Sequence, residues 1–483
     1  MRRVIALSVA VGLAACGSEE PAIEGGPTHA GINVLLVTVD TLRADHLSCY
    51  GYPRQTSPAV DRLAARGVVF DSAYTYWPKT RGSFAAMFTS LYAAQHGLTV
   101  RDRDLPEFNR TLAEVLQERG YRTAAVLDNG NLDRALGFGQ GFELYEQVWL
   151  TPGTTELDRT EALTRFALDF LSEEDEEDPF FLWIHYVNPH TPYDPPEELL
   201  SGYREDGLLP RGPELPSVVG YHGGVNRKLA RPGEARLGDY IDRYDAEIAL
   251  ADGHVGRVLE ALETSAFADS TLVLFTSDHG ESLGEHDYFF DHGRYLFNAS
   301  LRVPLVLSLP GVLPTGERVR GPVSTLDIFP TILDLTQISF PPRLEGRSLL
   351  PLVRRTKEKL HPRLFFQNDR HLMAISNGRL KLISHPGGEG EEARYELYDT
   401  WRDPGEIEDR FPGSRRRMAP FVAELERFRT RTVAWQQDTT RKRQGVAART
   451  DQELSEETLR NLEALGYLGG GASKKKPVDK KKR

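Results

Sequence analysis

An α/β fold is predicted, with a mostly parallel central sheet flanked by helices and a small antiparallel sheet near the C-terminus. From residue 32 onward, apolar runs of strand length alternate with helical periodicity, the pattern of helices covering both faces of a parallel sheet. Beyond Leu352 the texture changes to short apolar segments separated by Gly, Asn and Asp turns, which is how an antiparallel meander reads. The 483 residues allow two or three domains at a prior of about 150 residues each. Hydrophobic residues at 40% and charged residues at 27% exclude a fibre, a mostly disordered chain and a multi-span membrane protein. A net charge of −11 argues against broad nucleic-acid contact. Only Cys16 and Cys49 occur, so neither a disulfide framework nor a cysteine-based zinc cluster is available.

Met1-Arg2-Arg3 and the apolar run Val4 to Leu13 read as an export signal over 1–15, too short to span a bilayer. It ends in Leu13-Ala14-Ala15-Cys16-Gly17, which resembles a bacterial lipobox. Cys16 would then carry the lipid, the Gly-, Pro- and Glu-rich stretch 16–30 would be a tether, and the protein would sit lipid-anchored in the cell envelope; the alternative is an ordinary signal with a chance cysteine. A catalytic unit over 31–355 follows, with buried strands expected at Ile32 to Val39, Thr123 to Leu127, Phe180 to Val187, Thr271 to Thr276 and Val303 to Leu307. Ile241, Tyr244, Ile248, Ala251, Val255, Val258 and Leu262 mark one long amphipathic helix. Its Asp245 and Asp252 read as solvated or capping rather than catalytic, and the acidic run Glu173 to Asp178 as a solvated loop. Strands at Leu364 to Gln367, Met373 to Ser376, Leu380 to Ile383 and Glu396 to Asp399 place a sheet subdomain over 356–425. A helical segment and a Lys-rich tail complete 426–483; the tail reads as disordered and solubilising, or as attracted to an anionic membrane.

The chemistry is expected where strands end. Val37-Thr38-Val39-Asp40 sets a carboxylate just outside a buried strand, the usual place of ligand sites in open α/β sheets. Thr276-Ser277-Asp278-His279-Gly280 repeats the arrangement and adds an imidazole. Two carboxylates and a histidine suit a divalent cation that takes hard oxygen ligands and tolerates one nitrogen, although a strand-end Asp is also a common cap.

Several phrases in order give the chain a family resemblance. They are Asp40-Thr41-Leu42-Arg43-Ala44-Asp45-His46-Leu47 leading to Cys49-Tyr50-Gly51-Tyr52, then Asn188-Pro189-His190-Thr191-Pro192-Tyr193, Tyr244-Asp245-Ala246-Glu247-Ile248, Ser277-Asp278-His279-Gly280-Glu281, Leu301-Arg302-Val303-Pro304 and Glu396-Leu397-Tyr398-Asp399. From about Asn33 to Asp409 the sequence resembles the sulfatase family of the alkaline phosphatase superfamily. The resemblance implies an alkaline-phosphatase-like fold and a divalent cation (Ca, Mn, Zn or Mg) under the scissile group. The family's nucleophile segment runs Cys or Ser, any residue, Pro, Ser, Arg and ends in Thr-Gly. Here Thr80-Arg81-Gly82-Ser83-Phe84 with Thr89 stands in its place, so Thr80 falls at the nucleophile position, Gly82 replaces Pro and Phe84 replaces Arg. Threonine cannot become the formylglycine that a sulfatase makes from Cys or Ser. A metal-activated threonine hydroxyl is still a nucleophile, as in related phosphodiesterases and phosphoethanolamine transferases.

By the same resemblance Asp40, Thr80, Asp278 and His279 hold the metal, while His190 and His292 act on the transferring group. Lys79 and Arg81 are candidates to hold its non-bridging oxygens. Asp128 and Gly130 stand where the family has a Lys and a His, and His286 is a weaker candidate ligand. The expected activity is hydrolysis of phosphate or sulfate esters of a small molecule, glycan or lipid, with no nucleic-acid partner. The alternatives are a degenerate family member that binds an anionic glycan or lipid without turnover, and a phosphotransferase acting on envelope lipids.

Overall fold

The structure, a computed structural model, describes residues 31–98, 104–172, 178–215, 231, 233–339, 341, 343–388, 391–444 and 454–467. The leader with Cys16, the tether, the acidic residues 173–177 and the basic tail lie outside the described residues. The central sheet has eight strands: β1 (Asn33–Val39), β2 (Val68–Phe70), β3 (Arg122–Leu127), β4 (Leu144–Gln147), β5 (Phe180–Tyr186), β6 (Thr271–Ser277), β7 (Leu305–Ser308) and β8 (Glu317–Val319). Their order is β8-β2-β7-β6-β1-β5-β3-β4. β1 lies parallel to β5 and to β6, and β3 parallel to β5 and β4. Every residue of β1, β5 and β6 is buried, which is why these strands read as continuous apolar runs rather than alternating ones.

The expected strand Val303–Leu307 is corrected by its proline. Arg302–Val303 pairs with Ala73–Tyr74 in a separate small sheet, and β7 begins only at Leu305 and runs antiparallel to β6 and β2. Pro304 has no N–H for a ladder, and its carbonyl accepts the Thr276 hydroxyl at 2.7 Å. The edge strands β4 and β8 and the short β2 beside β8 are absent from the sequence reading because three or four residues are too few for alternation to register.

Helices α1 (Pro58–Ala65), α2 (Thr80–Thr89), α3 (Glu156–Ser172) and α4 (Leu237–Thr264) cover the sheet. Val34 and Leu36 of β1 face Phe84, Met87 and Phe88 of α2, while Leu35 and Val37 face Val60 of α1, Leu163 and Phe170 of α3 and Tyr244 and Ile248 of α4. Truncating one such buried Leu or Phe to Ala costs roughly 2–5 kcal/mol, so the sandwich fixes where each strand ends. α4 is the long helix its periodicity predicted. Asp252 caps: its carboxylate accepts the Ala59 and Val60 amides at the start of α1, at 2.8 and 2.9 Å. Asp245 is not solvated. It is fully buried and meets His46 Nδ1 at 2.8 Å, the Tyr52 hydroxyl at 2.7 Å and Arg54 at 2.7 Å, an ion-pair cluster away from the strand ends that periodicity cannot reveal.

The C-terminal meander forms as expected: β9 (Leu364–Gln367), β10 (Met373–Ser376), β11 (Leu380–His385) and β12 (Arg394–Asp399) pair antiparallel in sequence order. Helix α5 (Phe411–Arg443) runs unbroken across the boundary placed at 425. The reason is packing: Met418, Phe421, Leu425 and Phe428 share one apolar cluster with Met373, Ile375 and Leu382 of the sheet and Trp77 of the catalytic unit. A last helix, α6 (Glu456–Ala464), follows. No described helix is long and apolar enough to cross a membrane.

Candidate active site

Register brings the two strand-end motifs together. Val39 of β1 lies opposite both Ser277 of β6 and Tyr186 of β5, so Asp40 and Asp278 leave neighbouring strands at the same carboxyl edge. One ligand atom from each of Asp40, Asp278 and His279 falls within 4.8 Å of the others, and all three residues are fully buried. The backbone holds them there. Asp278 Oδ1 accepts the His279 amide at 2.9 Å and the Thr41 amide at 3.3 Å, and Thr41 sits at φ 53°, a left-handed conformation rare for a β-branched residue. Asn129 donates to Asp40 Oδ2 at 2.6 Å. Among the described residues, Asp40 Oδ1 and Asp278 Oδ2 are buried oxygens without a hydrogen-bond partner.

Two buried carboxylates side by side cannot both keep their charge without a compensating cation. Burial and the neighbouring Asp40 push Asp278 well above the ordinary carboxylate range. Against the same burial, His190, His185 and His279 hold Asp40 down at about 2. Burial lowers His279 to about 4, leaving a neutral imidazole able to ligate. The unpartnered oxygens, the neutral imidazole and the hard donor set together fit a divalent cation.

Thr80 opens α2, and its hydroxyl lies 3.4 Å from His279 Nε2. The first intrahelical bond is Ser83 N to Lys79 O at 2.9 Å, so Thr80 lies in the first turn of the helix, where the dipole favours an anion. All ten residues of α2 are buried, and its departures from the family segment have packing reasons. A Cβ at Gly82 would lie 2.5 Å from the Trp77 ring. Phe84 lies 4.9 Å from both Trp183, tilted, and His185, edge-to-face. Ser83 donates to the Asp278 carbonyl at 2.7 Å, which leaves Thr80 as the hydroxyl beside the cluster.

His190 and His292 arrive from opposite sides, their rings 5.3 Å apart. His292 Nδ1 lies 3.0 Å from Glu281 Oε1 and His190 Nδ1 2.7 Å from the Thr191 carbonyl, so both rings turn Nε2 inward. Burial together with His279, His190 and Lys79 lowers His292 well below its usual range. Arg81 is buried and donates to Asn131 at 3.0 Å, whereas Lys79 pairs with Asp369 at 2.6 Å. Asp128 turns away to Arg159 at 2.8 Å. His286 stands apart, stacked on Phe297 with Nε2 3.1 Å from the Gly405 carbonyl, so it is no ligand of this cluster.

The sequence of the chain matches the model of the family "Sulfatase" over residues 32–338, more than half its length. The chain belongs to the sulfatase family. A second model, "N-sulphoglucosamine sulphohydrolase, C-terminal", matches residues 284–429. Sulfatase-family relatives span most of the chain: an arylsulfatase of Clostridium perfringens is 27% identical over 446 residues, covering 78% of this chain and 89% of the relative. A multifunctional alkaline phosphatase superfamily protein of Trinickia caryophylli is 28% identical over 398 residues, covering 66% and 77%. The fold is shared with a protein solved in complex with its substrate D-glucosamine-2-N,6-O-disulfate, at TM-score 0.68 and 22% identity over 84% of this chain and 98% of that one. It is shared too with a phosphonate monoester hydrolase of Agrobacterium radiobacter, at TM-score 0.66 and 22% identity over 84% and 96%. The alkaline-phosphatase-like fold and an ester-bond hydrolase follow.

The sequence reading does not reach several residues of the site. His185 Nδ1 is held 3.0 Å from Thr38, and its Nε2 faces Asp40 at 3.5 Å; it lies within the strand run, where a histidine passes for core. Tyr467, far along the chain, puts its hydroxyl 3.2 Å from Thr80 Oγ1.

Proposed function

We propose that this sulfatase-family protein hydrolyses phosphate and sulfate esters with Thr80 as nucleophile, and that Asp40, Asp278, His279 and Thr80 hold one divalent cation. The observation that carries this reading is the Thr80 hydroxyl at the start of α2, 3.4 Å from His279 Nε2 and beside the unpartnered carboxylate oxygens. A cation bound there supplies Lewis acidity, lowering the pKa of the threonine hydroxyl and balancing charge in the transition state. The first-turn amides of α2 orient the anionic group. Thr80 Oγ1 attacks in line, forming a bond to phosphorus or sulfur as the bond to the alcohol breaks. His292, oriented by Glu281, and His190 present Nε2 to the transferring group; the proton leaving Thr80 passes to this pair and from it to the departing alcohol. Water then cleaves the phospho- or sulfo-threonine and regenerates the hydroxyl.

Thr80 has no aldehyde exit for a sulfuryl group, so a covalent adduct is resolved only by an incoming water. That step favours phosphorus, and the named activity of the Agrobacterium phosphonate monoester hydrolase supports phosphorus chemistry on this fold. Matched nitrophenyl phosphate diester and sulfate substrates should therefore give the higher kcat/KM for the diester. A sulfate preference overturns the threonine adduct. Phe84 in the place of the family's Arg favours the second reading, a binder without turnover, and absence of turnover across phosphate mono- and diesters and sulfates by the metal-loaded protein would establish it.

We propose further that the protein is exported and held in the envelope by a lipid on Cys16. Cys16→Ala should release soluble protein. Wild-type protein that is soluble and carries no added acyl mass overturns the anchor.

A further inference from the structure

The segment Leu454–Tyr467 lies beyond both regions matched by the family models, yet its Tyr467 stands inside the site. Its anchoring is specific. Ser455 caps α6 by accepting the Thr458 amide at 3.1 Å. The Thr458 hydroxyl donates to Asp133 at 2.6 Å and accepts the Trp149 indole at 3.1 Å, and Asn461 accepts the Gly130 amide at 2.8 Å. Leu454 and Leu462 are buried in the main core. Gly130 is part of the fit, because a Cβ there would stand 3.0 Å from Asn461 Oδ1 and 3.2 Å from the Thr458 carbonyl. The arm thus occupies the space after β3, where a larger residue at 130 would exclude it.

The end of α6 then aims the tyrosine. Gly466 takes φ +85°, its amide donates to Glu463 O at 3.1 Å, and the Tyr467 amide donates to Leu462 O at 2.9 Å, the paired bonds of a Schellman C-cap. That turn delivers the phenol oxygen to within 3.2 Å of Thr80 Oγ1, 3.1 Å of His190 Nε2 and 3.2 Å of His292 Nε2. A phenol oxygen donates one hydrogen bond and accepts others, so without a ligand these three contacts hold it directly against Thr80, His190 and His292. At 3.2 Å from Thr80 Oγ1 the phenol oxygen stands where an ester oxygen would sit, so a bound ester pushes it back by about one hydrogen-bond length and leaves its O–H beside that oxygen.

We propose that Tyr467 is a catalytic residue supplied by this C-terminal arm, its hydroxyl donating a hydrogen bond to a non-bridging oxygen of the group attacked by Thr80. The inference rests on the assignment of Thr80 and the ester-hydrolase reading. In this arrangement Thr80 is 1% and His190 2% exposed, so an ester reaches Thr80 only by displacing the phenol from it. Tyr467→Phe keeps the ring and removes only the donor. It should lower kcat on a phosphate diester about 10- to 100-fold, the range for one hydrogen bond to a charged group, with KM little changed and the unfolding temperature equal to wild type. Orthovanadate, a probe of the same trigonal-bipyramidal state, should bind the metal-loaded variant at least about tenfold more weakly. Unchanged or increased kcat/KM, or unchanged or tighter vanadate binding, overturns the proposal and makes the phenol a mere occupant. If Thr80→Ala abolishes turnover while Tyr467→Phe leaves it intact, only this inference falls. A wild-type protein that neither turns over an ester nor binds vanadate overturns both readings.

Discussion

Thr80→Ala should lower kcat/KM on phosphate and sulfate esters alike by about four orders of magnitude or more, the scale on which removing a covalent nucleophile acts. The effect should be this large because the surroundings offer no substitute. Ser83, one turn along α2, is fully buried and donates to the Asp278 carbonyl at 2.7 Å. Cys49 lies in another segment, and burial and the nearby Asp61 push its thiol far above the ordinary range, keeping it protonated. Thr80→Ser keeps the hydroxyl at the same helix start and should retain activity within about tenfold of wild type, since the metal-activated oxygen is preserved. Rapid-quench capture of a phospho-enzyme, present in wild type and absent in Thr80→Ala, checks the adduct directly. Full activity in Thr80→Ala overturns the nucleophile assignment.

The part of the site that was legible in the sequence is the part built by strands. β1 and β6 are buried on both faces, so each reads as an apolar run, and the first charged residue after each run, Asp40 and Asp278, marks the carboxyl edge. Adjacency of the two strands is a matter of topology, and only the repeated Asp motif and the family phrases hinted at it. Periodicity located α4 within a few residues of its observed ends, but it could not say what packs on the polar flank. Asp245 therefore passed for a surface residue, although His46, Tyr52 and Arg54 from the loop after β1 bury it. Of the expected run Val303 to Leu307 only Leu305 to Leu307 enters β7, because Pro304 splits it, and the antiparallel return is a property of the chain path. Tyr467 was the least legible. Its Leu-Gly-Tyr turn is a common helix stop, and nothing local in sequence tells that the turn ends 3.2 Å from the Thr80 hydroxyl, 387 positions earlier.

Asp278→Ala should remove both the bound metal and, by about three orders of magnitude or more, the turnover, because the cation's stabilisation of transition-state charge is worth several kcal/mol. Metal analysis of wild type should give close to one divalent ion per chain, and of the variant close to none. The two carboxylates make a further prediction for stability. Without a cation, burial and Asp40 disfavour the Asp278 charge, and relief of that strain offsets part of the cost of losing the His279 and Thr41 amide bonds to Oδ1. With a cation, wild type gains RT ln(1 + [L]/Kd), about 2.7 kcal/mol at a hundredfold excess over Kd, and the variant gains nothing. Chelation should therefore lower the wild-type melting temperature and leave Asp278→Ala where it is. The sign with pH follows from the same carboxyl: its raised pKa means that the cation must displace a proton, so apparent metal affinity should strengthen as pH rises. Titrating metal into chelated protein at several pH values reads that slope. A variant that keeps stoichiometric metal and near-normal turnover, or a wild-type affinity that weakens with rising pH, would show that the strand-end carboxylates are structural and that the cation, if there is one, is held elsewhere.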